Sequence, residues 1–309
     1  METVGTVKRT AYRFSIADFA VEVVFEGDDS VNSLRLLPSL QPFLTGALAE
    51  PLLFSLMVDD SLRPVPRAGR ERIRAFDTGN GTTVVDRIAS TGGYQYIVKD
   101  SEGADCCLLQ TNADFSVCRC ALRGHYVMRS FGLNNALMMV FAYAASRRQC
   151  LLIHASLVRQ DGYGYAFVAK SGTGKSTQVS MWLRHLPGCD LMNDDNPIVR
   201  ITDGRPYIYG SPWSGKTPCY RNVKAPLGAV SSIVRAPENS VERLSAVAAF
   251  ATFLPACSSM VWDVETYRLT CDTVARVVET TGIYALHCLP NKESAIVCNT
   301  AIKVRTPRP

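Results

Sequence analysis

One stretch of the chain combines residue types and spacing suited to phosphate chemistry: Ala169-Lys170-Ser171-Gly172-Thr173-Gly174-Lys175-Ser176-Thr177. Gly172 and Gly174 let a backbone turn tightly enough to aim successive N–H groups inward at an anion. Lys175 adds a mobile positive charge, and Ser176 offers a hydroxyl to Mg²⁺ where a helix begins. Ser171, Gly172, Thr173, Gly174, Lys175, Ser176 and Thr177 are therefore the expected nucleotide-phosphate residues. Ala169 departs from the G-x-x-x-x-G-K-[ST] pattern, so the corner between strand and loop must accommodate a methyl group. The flanks have the order this motif requires. Tyr165 to Ala169 is an apolar, aromatic-rich run suited to a buried strand, and Val179, Trp182, Leu183 and Leu186 recur at helical spacing after the loop.

Phosphoryl transfer also needs a metal ligand beyond the loop hydroxyl and a group that positions and deprotonates the nucleophile. Asp194 and Asp195 supply carboxylates about one loop-helix-strand unit after Ser176, and two adjacent carboxylates can divide those tasks. His154 interrupts the apolar run Leu151-Leu152-Ile153 on a strand expected beside the one that feeds the loop, within reach of a phosphate oxygen or the metal. From Gly210 to Asn222 a loop punctuated by glycine and proline carries Lys216 and Arg221, either of which could steady charge on a transferring phosphoryl group. Such loops often close over substrates.

These residues resemble the kinase domain of HPr kinase/phosphorylase and, more distantly, the phosphoenolpyruvate carboxykinases. The matching segments are Ile153-His154-Ala155-Ser156, Ser171 to Thr177 and Asn193-Asp194-Asp195, so the resemblance spans roughly 150–221. Gly210 to Asn222 resembles the Pro-Trp-Ser-Gly loop of bacterial relatives of HPr kinase, several of which sit beside peptide-modification genes. The resemblance implies Asp194 as general base, Asp195 and Ser176 as Mg²⁺ ligands, Lys175 bridging the β- and γ-phosphates, and His154 lining the phosphate pocket. Thr177 stands where HPr kinases usually have glutamate, and the carboxykinases' oxaloacetate-binding arginines have no match here.

The resulting expectation is an ATP- and Mg²⁺-dependent kinase acting on a hydroxyl of a protein, peptide or small molecule, with Ser or Thr first. Two other readings stay open: carboxykinase-like phosphoryl transfer on a small acid, and an ATP-sensing regulator that transfers nothing. Relatives of this kinase domain often form rings, so a homo-oligomer is compatible with the resemblance.

The elements around these residues suggest a mixed α/β chain in two parts. An N-terminal, β-rich antiparallel domain is expected over 1–130, from strand-like runs at 12–16, 20–25, 52–58, 82–88, 94–99 and 106–110 and turns at 27–29, 77–81 and 91–93. Residues 34–48 are apolar but broken by Pro38 and Pro42, and predict a connection rather than a helix. Residues 131–309 are expected to form a P-loop HPr kinase/PEP carboxykinase-like domain with a mixed sheet. Helices are expected over 134–148, 176–186, 241–253 and 264–280, with Asn239 and Glu242 placed to cap the third. Strands are expected over 150–158, 190–193, 197–201, 206–209, 284–289 and 294–298, with a hairpin turn at Asp203-Gly204.

Composition excludes several classes. With 47% hydrophobic and 20% charged residues, the chain can bury a core. The net charge of +5 has no focus except Arg63, Arg67, Arg70, Arg72 and Arg74, read as a solvated loop. No aromatic residues are interleaved there to stack on bases, so nucleic acid is not an expected partner. The eleven cysteines lack zinc-site spacing and read as buried thiols. The N-terminus has no charged-then-apolar signal segment, and the longest helix-like apolar run, near 136–145, is too short to span a bilayer. A cytoplasmic protein with no membrane partner is the expectation.

Overall fold

A computed structural model describes residues 8–46, 51–77 and 81–304. Residues 47–48 of the expected segment 34–48 and residues 78–80 of the expected turn 77–81 lie outside those residues. The chain is mixed α/β, mostly strand, and divides into two compact units, 1–144 and 145–309. The expected division at 130/131 falls inside a helix that is grouped with the first unit as far as Ala144.

The first unit contains β1 (Arg9–Ile16), β2 (Phe19–Glu26), β3 (Phe54–Val58), β4 (Arg70–Asp77), β5 (Thr82–Ile88), β6 (Tyr94–Lys99), β7 (Asp105–Thr111), β8 (Val117–Leu122) and α1 (Tyr126–Ser146). The strands form one sheet in the order β1-β2-β3-β8-β7-β6-β5-β4. It is mixed rather than wholly antiparallel, because β3 runs parallel to both β2 and β8. The connection from β2 to β3 is long enough to carry the chain back to the starting end, as a parallel pair requires. On the way it makes two 3₁₀ turns, Leu34–Leu36 and Pro38–Phe43, which bury Leu36, Leu40 and Phe43. Helix α1 starts before the expected Asn134. In its first turns Arg129 donates to Asp60 and to the Leu122 carbonyl, partners that local spacing does not reveal. Arg70, Arg72 and Arg74 lie on edge strand β4, not in a loop, and Arg70 and Arg72 both pair with buried Asp86. Arg63 donates to the nearby carbonyls of Asp60, Ser61 and Leu62.

The second unit begins with β9 (Cys150–Leu152), β10 (Ala155–Gln160), β11 (Tyr163–Val168), α2 (Lys175–His185), β12 (Cys189–Asp195), β13 (Ile198–Thr202) and β14 (Arg205–Tyr209). It continues through β15 (Lys224–Arg235), β16 (Ser240–Arg243), α3 (Ala246–Phe253), α4 (Val264–Thr280), β17 (Gly282–Cys288) and α5 (Lys292–Ile302). The sheet order is β12-β10-β11-β15-β14-β13-β9, with β17 also pairing with β15 and β16 joining β17. β11, β15 and β17 run parallel, and the hairpins lie outside them. Both faces of the sheet are covered. Ala249, Phe253, Val274 and Val277 of α3 and α4 pack into one apolar cluster; Val179, Trp182, Ala295 and Cys298 of α2 and α5 pack into the other.

Three expected elements differ. The strand expected over 150–158 breaks at Ile153-His154: β9 pairs with β13, whereas β10 lies between β11 and β12. The helix expected over 241–253 is strand β16 followed by the shorter α3, capped by Ser245; Asn239 instead binds the Leu289 N–H and the Glu293 carboxylate. The strand expected over 294–298 belongs to α5, whose Asn291 side chain caps the Ser294 N–H. A short apolar run alone does not distinguish a buried strand from one turn of a buried helix.

All eleven cysteines are unpaired, nine of them buried. Burial pushes the Cys150 and Cys298 thiols up to about 12, so they pack as small apolar side chains. Among the described residues no helix is long and apolar enough to cross a membrane.

Candidate functional site

The site forms where β11 ends and α2 begins. Val168 closes the strand, and the glycine loop turns through Gly172 and Gly174, both at positive φ (76° and 131°), before Lys175 opens the helix. The Ala169 methyl is accommodated against the apolar cluster of Phe167 and Trp182. Trp182 anchors the helix: it is fully buried, with its ring 5.3 Å from Tyr165 and 5.5 Å from Phe167.

The next groups come from the break between β9 and β10, where His154 N–H donates to the Ala256 carbonyl at 2.7 Å, and from the start of β10, which carries Ser156. Antiparallel pairing with β12 sets Ser156 opposite Asp194 and Ala155 opposite Asp195. Ser156 Oγ donates to Asp194 Oδ1 at 2.6 Å, and Ser176 Oγ reaches the same oxygen at 2.9 Å. Asp194 is 4% exposed, so its carboxylate relies on these hydroxyls.

The neighbouring carboxylate points into a different group. Asp195 Oδ1 lies 3.1 Å from His154 Nε2, and Lys175 Nζ lies 3.0 Å from the same nitrogen. Lys175 also donates to the Ala169 carbonyl at 3.2 Å. Burial lowers the Lys175 pKa, and the charges of Asp195 and Asp194 recover only part of the shift. Burial alone would raise Asp195, but the His154 hydrogen bond and the charges of His154 and Lys175 outweigh it and hold this carboxyl below its ordinary 3.8.

The Asp pair is held from behind by the loop that follows β14. Asn193, fully buried, donates to the carbonyls of Trp213 and Cys219 at 3.1 and 3.3 Å, and its own carbonyl accepts from Asn196 N–H at 3.0 Å. Gly215 N–H donates to the Asp194 carbonyl at 2.5 Å, and Asp195 forms an isolated bridge with Ser214. Asp195 adopts φ 118°, a strained value for a residue with a side chain, and these contacts over-determine it.

The structure thus brings together Lys175, Ser176, His154, Asp194 and Asp195, with Ser171, Gly172, Thr173, Gly174 and Thr177 around them in the loop and first helical turn. The carboxylates take partners in the opposite sense to that implied by the resemblance: Asp194 joins Ser176, and Asp195 faces Lys175 and His154. Arg221 is not brought to this group. Its guanidinium pairs with Asp190 at 2.6 Å, alongside Arg159, and donates to the Leu191 carbonyl. Asp190 precedes Asp194 by four residues of β12, roughly 13 Å at the rise of an extended strand. Lys216 is exposed on the loop.

Two positions were not singled out from sequence. Ser156 carries a signal in hindsight, closing the segment Ile153-His154-Ala155-Ser156 that follows the apolar run. Arg235, at the end of β15, donates to the Thr173 and Gly172 carbonyls at 3.0 and 2.5 Å and thereby ties down the outside of the glycine loop. No local motif marks it.

The donor set suits a hard divalent cation. Ser176 Oγ and Asp194 offer oxygen ligands, and Mg²⁺ characteristically takes one or two such protein ligands and fills the rest of its shell with water and phosphate oxygens. The arrangement can therefore cradle an anion, neutralise it with Lys175 and a cation, and hold an ionised carboxylate at its edge.

No family model and no curated protein matches the chain. Among solved structures, the HPr(Ser) kinase/phosphatase from Coxiella burnetii has a distant structural similarity: 10% identity over 49% of this chain and 93% of that one, at a TM-score of 0.28.

Proposed function

We propose that this protein is a phosphotransferase that moves the γ-phosphoryl group of ATP to a hydroxyl acceptor, with Ser or Thr of a protein or peptide as the first candidate. The observation that carries the reading is the convergence of two linked sets on one glycine loop: Ser156-Asp194-Ser176 and Lys175-His154-Asp195. Loop N–H groups and Lys175 would bind the β- and γ-phosphates. Ser176 and Asp194 would hold Mg²⁺, which when bound neutralises charge building on the phosphate oxygens.

Asp195 is the better placed base. Its side chain is 38% exposed, whereas Asp194 is sealed beneath two hydroxyls. A lowered pKa keeps Asp195 ionised at neutral pH. Its modest basicity is no handicap in a loose transition state, where the acceptor hydroxyl sheds its proton late and positioning matters more than base strength. His154 orients that carboxylate, and Arg235 keeps the loop carbonyls turned outward so that the N–H groups face the anion.

The test is acceptor-dependent turnover. Purified protein with Mg-ATP should release ADP only when a suitable hydroxyl-bearing protein, peptide or small molecule is supplied, and heavy-labelled ATP in a lysate should mark that acceptor for mass spectrometry. No acceptor-dependent ADP release across a broad hydroxyl panel would refute the reading.

A further inference from the structure

We propose that the exposed face of α3 and the turn that follows it receive apolar residues beside the acceptor hydroxyl, so that the acceptor is a peptide or protein segment with an apolar flank and not a small alcohol. The proposal rests on the phosphotransferase reading above and narrows its acceptor. Every residue of α3 from Ala246 to Phe253 except Thr252 is apolar. Ala249 and Phe253 form its inner face, which packs into the core. A helix on a protein surface normally turns polar residues outward, whereas this one turns out Val247, 82% exposed, and Ala251. Half-buried Leu254 and exposed Pro255 continue the spacing i, i+4, i+7, i+8 into the 3₁₀ turn Leu254–Ala256, so the four side chains form one stripe.

That stripe leads to the proposed base. His154 N–H donates to the Ala256 carbonyl at 2.7 Å, Ser258 N–H donates to the Leu152 carbonyl at 2.8 Å, and Ile153 and Cys257 form an antiparallel bridge between these bonds. The turn at the end of α3 is thus held by its backbone against the residue whose ring meets Asp195. From Ala256 back to Val247 is roughly 14 Å at the helical rise, the length of about four extended residues. A peptide whose hydroxyl sits at Asp195 reaches the stripe with its neighbouring residues, and a small alcohol does not.

Size and chemistry select this occupant. The outer face of an eight-residue helix measures roughly 12 by 10 Å, far below the area of about 800 Å² per partner that a stable protein pair needs. Two or three side chains of a short segment cover it. No charged residue occurs from Leu244 to Trp262, so an acidic or basic flank finds no ion-pair partner on the stripe itself. An apolar flank gains by removing Val247 from water, a contact worth roughly tenfold in affinity.

Steady-state phosphorylation by the full chain with Mg-ATP tests this on N-acetylserine amide and on two peptides, one with Leu-Gly-Leu-Gly and one with Gln-Gly-Gln-Gly on each side of a serine. The leucine peptide should have a kcat/KM at least about tenfold above the other two acceptors. Val247→Glu should raise the KM for that peptide about tenfold and leave the KM for ATP within roughly twofold, and Val247→Leu should keep the wild-type values. Glutamate is favourable in the first turn of a helix, so Val247→Glu should fold. Ile296→Glu adds the same charge at a 43% exposed position on α5, across the sheet, and should change nothing. Equal use of the three acceptors, or a leucine-peptide KM unmoved by Val247→Glu, would overturn the apolar acceptor face while the acceptor-dependent turnover itself upheld the phosphotransferase reading. A leucine peptide left unused while another hydroxyl acceptor reacts would likewise overturn the face alone; no release of ADP with any hydroxyl across the broad panel would overturn both.

Discussion

The Lys175 ammonium nitrogen stands 3.0 Å from His154 Nε2, the ring nitrogen that also lies 3.1 Å from Asp195 Oδ1. That nitrogen cannot accept a proton from Lys175 and donate one to Asp195 at the same time. Binding of a phosphate would draw the lysine off the ring and free His154 to donate to the carboxylate. Under the proposed function, the same three side chains would link phosphate binding to the setting of the proposed base.

This linkage has a pH signature. Only charged Lys175 attracts phosphate, so nucleotide affinity is full below its pKa and is lost as pH rises through it. Burial places that limb below the ordinary lysine value of 10.5, while Asp195 and Asp194 push it back up. Asp195→Asn removes one of those charges and should move the alkaline limb of ATP affinity further down. A limb at or above 10.5 in the wild-type protein, or one that rises in the variant, would contradict the arrangement.

The two carboxylates should separate kinetically. Asp195→Asn is expected to lower kcat by about 10²–10⁴-fold, the usual range for a positioned base, with ATP affinity at neutral pH changed far less. Asp194→Asn and Ser156→Ala should instead raise the Mg²⁺ concentration needed for half-maximal rate. The Ser156 bond is to a charged group and is worth about 1.5–3 kcal/mol, or roughly tenfold or more in that requirement. Titration of rate against Mg²⁺ for all three variants checks this, and a metal requirement raised by Asp195→Asn alone would reverse the assignment.

Arg221→Ala should act on stability and not on chemistry. Arg221 and Arg159 share Asp190, whose carboxyl burial would raise; hydrogen bonds and charge from both guanidinia hold it low. With partly exposed partners, loss of one arginine should lower the melting temperature modestly and leave kcat within a few-fold. A hundredfold fall in kcat without loss of stability would return Arg221 to the reaction.

Gly215 offers a steric test of the support behind the Asp pair. A Cβ there would come within 3.0 Å of Asp195 Cβ and 3.5 Å of the Asp194 carbonyl oxygen. Gly215→Val should therefore displace the carboxylates and depress kcat much more than ATP affinity, because the glycine loop is untouched. Unaltered turnover in this variant would show that the loop's grip on Asp195 is dispensable.

What the sequence determined by itself was the local chemistry. Glycines, lysine and hydroxyl must be contiguous to form an anion cradle, so Gly172 to Ser176 were readable, as were the Asp194-Asp195 pair and the flanking strand and helix. The hairpin at Asp203-Gly204 was equally local, with positive φ at both residues (50° and 74°). Tertiary structure alone decided which carboxylate serves which partner. Adjacent strand residues point to opposite faces, and only the register that sets Ser156 opposite Asp194 says which face meets Ser176. It also withdrew Arg221 to Asp190 and brought up Arg235 from the end of β15. Arg235 joins the loop because β15 runs parallel beside β11, a pairing between residues more than sixty positions apart that no local pattern encodes.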